Sequence, residues 1–359
     1  MTRRFPIGLV VGKFCPLHKG HEHLIETAIR ACGKVVVISY THPGFERCGR
    51  AVREQWLAAL FPSVRALVVD DDSLGELCFD QGVPRRPLPH NDDAAADHRE
   101  FVAWLCGTVL GTRVDAVFTS EDYGDGFARS LTEQFAARGL GTAEVAHVCV
   151  DRARETVPIS GTQARSDAFG SRHAIDPRVY GDLIGRVAIL GGDSSGKTTL
   201  AKAAARHFRT DWAPEYGREL WVQREGRLAL DDMLQIAREQ VERERRLGRH
   251  ARRFLFCDTT PLTTSFYSQE LFGGVDPRLE QLAARSYEHT FLCAPDYAFV
   301  QDGTRRCASF RERQHAWYVQ QLQARDIPFT LVSGPVESRV ATVARILVTA
   351  GWKAARSPG

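Results

Sequence analysis

At 359 residues, the chain favours two domains of ordinary size. Its 43% apolar and 25% charged residues are a globular composition, and a net charge of +3 is too near neutral to argue for nucleic acid or an acidic membrane surface. Nine cysteines without a C-x-x-C pair suit a reducing cytosol rather than a disulfide framework or a zinc ribbon. No apolar run approaches the ~18 residues of a membrane span.

Residues 7–11 are a short apolar run of buried-strand type. Arg3 and Arg4 before it faintly imitate a signal peptide, but Lys13 interrupts the pattern and no small-residue cleavage site follows. The run leads into Gly12-Lys13-Phe14-Cys15-Pro16-Leu17-His18-Lys19-Gly20-His21. A helix follows, with Leu24, Ile25, Ala28 and Ile29 at helical spacing, then a strand over 35–39. Strand, loop, helix and strand in this order predict a parallel sheet with a right-handed crossover. His18 and His21 lie three apart at a helix start and share a face. Two imidazoles beside helix N–H groups suit a polyphosphate, placed to stabilise charge as it develops. Zinc is the weaker reading, because further ligands are not evident nearby. A surface His pair at a helix cap is the plain structural alternative.

Residues 53–61 read as a helix and 64–69 as a strand. Asp70-Asp71-Asp72 reads as a solvated strand end rather than a metal site. Residues 82–97 read as an irregular surface loop, and 101–110 as a helix in which Trp104 takes a core role. A strand over 116–119 runs into Ser120-Glu121-Asp122-Tyr123-Gly124, a loop expected to border an acceptor nucleotide. The boundary is placed near residue 183, giving domains 1–182 and 183–359.

The second domain opens on an apolar strand and Gly191-Gly192-Asp193-Ser194-Ser195-Gly196-Lys197-Thr198-Thr199, a phosphate-binding loop in its required context. The glycines let successive N–H groups face phosphate oxygens, with the helix dipole behind them. Lys197 is placed to reach the outer phosphates of ATP and Thr198 to hold Mg²⁺. Residues 212–219, including Glu215 and Arg218, read as an irregular charged segment, and 233–250 as a long helix with a solvated charged face. A strand over 253–257 ends in Asp258, expected to serve the magnesium or the attacking hydroxyl, with a helix cap as the alternative. A strand is expected over 297–300, ending near Asp302. Arg305, Arg306, Arg311 and Arg313 after it are placed to form a lid, with plain exposed charge the equal alternative. A strand over 329–332 and a helix over 336–350 close the chain, with a frayed tail over 353–359.

G-K-F-x-P-L-H-x-G-H resembles the nucleotidylyltransferase superfamily signature, and Ile159-Ser160-Gly161-Thr162-Gln163-Ala164-Arg165 resembles its second motif, I-S-x-T-x-x-R. The resemblance implies a Rossmann-like domain in which Gly12, Lys13, Phe14, His18, His21, Ser160, Thr162 and Arg165 bind ATP, with His18, His21 and Arg165 assisting transfer at its phosphates. Followed directly by a P-loop kinase, with E-Y-G-R-E at Glu215, D-T-T-P-L-T-T at Asp258 and D-G-T-R at Asp302, the chain resembles the NadR-type bifunctional enzymes of NAD salvage.

That resemblance implies an α/β fold in two parts, a nucleotidylyltransferase domain and a P-loop kinase domain on a parallel sheet. It implies ATP and Mg²⁺, phosphorylation of nicotinamide riboside to nicotinamide mononucleotide (NMN), and adenylyl transfer from ATP to NMN giving NAD. Glu215, Arg218, Asp302 and Arg305 would hold substrate or close over it. The expected partners are these small molecules, with a homo-oligomer allowed and no membrane. Some members carry an N-terminal helix-turn-helix. Here the first strand begins by residue 7, so no DNA binding is expected. Some members also have a second acid after the strand-tip Asp, where this chain has Thr260-Pro261. A fusion acting on another nucleoside, or a nucleotide sensor with degenerate catalysis, are the alternatives.

Overall fold

β1 (Phe5–Val11), α1 (Lys19–Ala31), β2 (Cys32–Tyr40), α2 (Arg50–Leu60) and β3 (Arg65–Val69) wind the first half of a parallel sheet in a computed structural model of the chain. The structure describes residues 3–120, 124–152, 155–298 and 308–349. The apolar stripe that predicted α1 is the buried one, through Leu24, Ile25 and Ala28. α3 (Asp71–Asp80), α4 (Ala95–Trp104), β4 (Ala116–Thr119), α5 (Gly124–Ala137), β5 (Ala146–Cys149), α6 (Gly161–Ser166) and α7 (Pro177–Leu183) follow. The sheet order is β3-β2-β1-β4-β5, so the strand order reverses beside β1, where open α/β sheets bind ligands.

The chain divides into two units, Met1–Asp182 and Leu183–Gly359. The second contains β6 (Gly185–Gly191), α8 (Lys197–Phe208), β7 (Trp212–Ala213), α9 (Tyr216–Gln223), α10 (Leu230–Gly248) and β8 (Phe254–Asp258). It ends with α11 (Pro261–Phe272), α12 (Pro277–Ala283), β9 (His289–Cys293), α13 (Ala308–Ala324), β10 (Phe329–Val332) and α14 (Val336–Thr349). Its parallel order is β10-β9-β6-β8-β7, with β6 central and buried along its whole length. A strand covered on both faces reads as a continuous apolar run, which is how V-A-I-L appears in the sequence.

Several expectations are corrected. Asp70 is not a solvated strand end but the N-cap of α3. It accepts from Ser73 N at 2.9 Å, while Ser73 Oγ accepts from Asp70 N at 3.0 Å. The loop after α3 ends at residue 94. The helix expected over 101–110 starts earlier, at Ala95, and passes after Trp104 into a π-helical turn, Leu105–Val109. Trp104 itself is buried in the core of the first unit. Residues 212–219 are not irregular, because β7 pairs with β8 and α9 starts at Tyr216. The strand expected over 297–300 lies at His289–Cys293 instead. Tyr297 and Ala298 are not strand, and 299–300 lie outside the described residues. β9 was missed because its apolar run, Phe291 to Cys293, is short and is buried by helices distant in sequence: Phe291 and Cys293 pack in one core cluster with Leu200 and Val343, and Leu292 in another with Leu262 and Tyr318.

Candidate functional sites

In the first unit, Gly12 N extends the ladder to Ile38 O at 3.1 Å, and the chain then leaves the sheet. His18 is the N-cap of α1, and His21 is three residues on. Their rings stack at 3.7 Å between centroids, 20° apart, with Phe14 edge-on to His21 at 5.0 Å. A side chain at Gly20 would lie 3.1 Å from the His18 ring, so the glycine is what lets that ring fold back. Arg165, from α6, donates to Cys15 O at 2.5 Å and to Thr162 Oγ1 at 3.0 Å, and its guanidinium lies 4.2 Å from the Phe45 ring centre. Ser160 caps α6 by accepting from Gln163 N at 3.1 Å. Lys13 Nζ reaches Asn91 O at 3.3 Å. Buried Arg53 supports the loop through Lys13 O and Ser39 Oγ. The Cys15 thiol donates to Lys13 O at 3.1 Å, and the nearby Cys48 side chain with the charges of Arg53, Arg165 and Lys13 holds it below the usual thiol value.

All eight residues expected in this site, Gly12, Lys13, Phe14, His18, His21, Ser160, Thr162 and Arg165, line one cleft of about 520 Å³. Sequence reasoning missed others along it. Tyr40 Oη meets His98 Nδ1 at 2.8 Å, and burial pushes the His98 imidazole down. Thr119 Oγ1, at the tip of β4, meets His147 Nε2 at 2.9 Å, and His147 Nδ1 meets Asp125 Oδ1 at 2.8 Å. A side chain at Gly124 would collide with the His147 ring at 1.9 Å. These residues come from separate strands and helices and carry no motif. Ser120 also lines the cleft, and residues 121–123 of the expected acceptor loop lie outside the described residues.

In the second unit, β6 ends in Gly191 at φ +147°, and Gly196 adopts the left-handed conformation at the start of α8. A side chain at Gly191 would meet Cys293 O at 2.9 Å, and one at Gly196 would meet the Tyr297 ring at 2.5 Å. Lys197 is buried, with Nζ on Gly192 O at 3.0 Å. Thr198 Oγ1 donates to Asp258 Oδ2 at 2.5 Å, while Thr199 is exposed. Burial, followed by the nearby Glu215 charge, pushes the Asp258 carboxyl up to about 6 against the pull of Lys197 and Thr198. The helix-cap alternative for Asp258 fails, because Thr260 caps α11. Arg339 from α14 braces the loop, donating to Ser195 O at 2.7 Å and Gly334 O at 2.9 Å and pairing with Asp296. Gln314 accepts from Asp193 N at 2.9 Å.

Beside this loop lies a pocket of about 150 Å³. Asp193, Glu215 and Arg218 give it a charged side, and Trp221, Met233 and Ile236 an apolar one. Tyr267 Oη donates to Asp193 Oδ1 at 3.0 Å, and Arg218 pairs with Glu215 at 3.4 Å. Asp258 is not part of the lining; it stands on the Thr198 side of the loop. Asp302, Arg305 and Arg306 lie outside the described residues, as does the tail over 353–359. Arg311 is buried rather than exposed, and donates to Tyr297 O at 2.7 Å.

The Thr198 hydroxyl and the Asp258 carboxylate are hard oxygen donors of the kind Mg²⁺ takes. Asp258 Oδ1 is buried with no hydrogen-bond partner among the described residues, as a metal-facing oxygen would be. No described group of three or more His, Cys, Asp or Glu forms a metal cage, and no described helix is long and apolar enough to cross a membrane.

A family model described as an AAA domain matches residues 186–339. The Trifunctional NAD biosynthesis/regulator protein NadR of Escherichia coli (strain K12) is 27% identical over 351 residues, covering 91% of this chain and 78% of that protein. A crystal structure of a NadR protein in complex with NAD and AMP-PNP superposes with a TM-score of 0.67 at 19% identity, covering 98% of both chains. A NadR protein in complex with NR gives 0.65 at 18% identity, covering 100% of this chain and 99% of the other. At these identities the structural likeness speaks for the fold.

Proposed function

We propose, from 27% identity to NadR proteins along nearly the whole chain, that it is a two-site transferase of NAD salvage. The 183–359 unit would phosphorylate nicotinamide riboside with ATP, and the 1–182 unit would join the resulting NMN to the adenylyl group of a second ATP. The first product is the second substrate, so the pair of reactions is chemically coherent. The observation that carries the reading is the presence in one chain of both phosphate-handling sites. One cleft collects all eight residues of the two nucleotidylyltransferase motifs, and a half-apolar pocket adjoins a phosphate-binding loop.

In the kinase step the 5′-hydroxyl oxygen forms a bond to the γ-phosphorus, and the bond from that phosphorus to the β–γ bridging oxygen breaks. Lys197 and the loop N–H groups bind the charge on the transferred group. Thr198 and Asp258 would hold Mg²⁺, which when bound neutralises phosphate charge. Glu215, which lines the pocket where Asp258 does not, is the better placed carboxylate to take the hydroxyl proton. Asp193, fixed by Tyr267, is placed to grip a ribose hydroxyl. In the adenylyl step a phosphate oxygen of NMN attacks the α-phosphorus and pyrophosphate leaves. No side-chain nucleophile is required. His18 and His21 would stabilise charge at the α-phosphate, and Ser160, Thr162 and Arg165 would hold the leaving phosphates. NAD bound to one NadR protein and NR to another support this choice of ligands.

The test uses the purified chain with Mg-ATP and either nicotinamide riboside or NMN, with products separated by chromatography. NMN from the riboside and NAD from NMN are expected. If neither substrate is consumed, the reading is wrong.

A further inference from the structure

The half-apolar pocket of the second unit contains one polar group that its own surroundings leave unexplained. Gln240, in the middle of α10, is 2% exposed and lines the pocket. Its Oε1 accepts from the backbone N–H of Tyr216 at 3.0 Å. That N–H, in the first turn of α9, has no carbonyl of its own helix to reach, so it needs this acceptor. The bond therefore fixes which end of the amide faces which way. Nε2 is buried with two hydrogens; the Glu244 carboxylate, one turn further along α10, is within reach of one of them, and the other has no acceptor among the described residues. A buried N–H without an acceptor is costly, and such groups in folded proteins call for an explanation.

The walls around Gln240 are Ile236 and Met233, one and two turns back on the same helix, with Trp221 from α9. They suit a flat ring, and Ile236 and Met233 offer it no hydrogen bond. On the charged side, Asp193 and Glu215 suit hydroxyl groups. We propose that Gln240 is the specificity-determining residue of this pocket, its Nε2 donating a hydrogen bond to a carbonyl oxygen carried on the ring of the nucleoside. This rests on the kinase reading above. On that reading the acceptor is the carboxamide oxygen of nicotinamide riboside, and the amide nitrogen of the substrate is not what is read.

Three ribosides separate the possibilities: nicotinamide riboside, 3-acetylpyridine riboside, which keeps the carbonyl and lacks the amide N–H groups, and unsubstituted pyridine riboside. With the natural chain, kcat/KM for phosphorylation should be similar for the first two and fall about 10- to 100-fold for the third. An acetyl compound as poor as the unsubstituted one would overturn the proposal. These comparisons need no variant. In Gln240→Met the ratio between nicotinamide and pyridine ribosides should collapse to within about 3-fold of one, because only the nicotinamide carbonyl loses a bond, whereas a structural defect would slow both substrates alike. A variant that loses activity equally on both, keeping the ratio, would overturn the role of Gln240 and leave the kinase standing. A natural chain that phosphorylates none of the three would overturn the substrate reading itself, and this inference with it.

Discussion

The hydroxyl of Thr198 donates to Oδ2 of Asp258 at 2.5 Å, joining the first turn of α8 to the tip of β8. The two are 60 residues apart in sequence, and the register of the sheet brings them together, with Ile189 opposite Asp258 just before the phosphate-binding loop. The Asp258 carboxylate is almost completely buried, and its charge is expensive there. Asp258→Asn removes that charge while leaving an oxygen for Thr198. The expected result is a loss of phosphoryl transfer of about 100-fold or more, with a gain of roughly 1–3 kcal/mol in the stability of the nucleotide-free unit at neutral pH. Steady-state kinetics beside thermal unfolding checks both. An Asn variant that is less stable as well as inactive would show that the carboxylate is structural.

Lys197 and His21 belong to separate units and separate phosphate sites. Lys197→Ala should lower riboside phosphorylation by about 100- to 1,000-fold and leave NAD formation from supplied NMN unchanged. His21→Ala should do the reverse. Loss of both activities from either substitution, in a protein that still unfolds cooperatively, would refute the two-site assignment.

The strands that carry the ligand loops were legible because their signals are local, whereas β5, β7 and β9 were not read. The loop from Gly191 to Lys197 has glycine at two of its three positive-φ positions, with Ser194 at the third, and the strand before it carries an apolar run over 187–190. The pocket beside it was not legible. Met233, Ile236 and Gln240 recur at helical spacing within a segment otherwise rich in Arg and Glu, and the charges pointed to a solvated face. That stripe was the available signal. What it could not reveal is that α9 lies across it, held by the Arg243–Glu219 pair with both N–O distances at 2.6 Å. The relay from Thr119 through His147 to Asp125 was invisible for a related reason, since its members stand on three separate elements, β4, β5 and α5.

Arg165 bridges the two motifs of the first unit. It reaches Cys15 O, before the His-x-Gly-His segment, and Thr162 within its own helix, and it lies over Phe45. A lysine carries the charge but cannot make both bonds and stack. Arg165→Lys should therefore raise the KM for ATP in adenylyl transfer by about 10-fold or more, with riboside phosphorylation unaffected. An unchanged KM would mean that charge alone suffices at this position.

Arg339 is fully buried behind the phosphate-binding loop, with donors on Ser195 O and Gly334 O and a carboxylate partner in Asp296. Removing the guanidinium leaves two carbonyls and a carboxylate short of a donor. Arg339→Met should cost roughly 3–5 kcal/mol of stability and weaken ATP binding in the second unit. Chemical denaturation and nucleotide titration are the two measurements. A variant as stable as the natural chain would show that the brace is not needed to hold the loop.

Glu244, one turn along α10 from the pocket residue Gln240, gives the chain a predictable response to pH. It is completely buried in α10 and accepts from Tyr287 Oη at 3.1 and 3.2 Å, with Arg285 at 3.9 Å. Burial pushes its carboxyl above the ordinary value, against the partial pull of Arg285 and Arg186. The folded protein therefore holds this proton to higher pH than the unfolded chain does. The stability it contributes is fully present below the unfolded value, near 4.5, and is lost as pH rises through the folded value. Glu244→Gln keeps an oxygen for Tyr287 and cannot ionise. It should match the natural chain in acid and exceed it in thermal midpoint at pH 7 to 8, by about 2–4 °C for each kcal/mol regained. Unfolding curves collected from pH 4.5 to 8 test this directly. If the two proteins run parallel across the range, the buried carboxyl is ionised throughout and Arg285 with Arg186 compensates its charge in full.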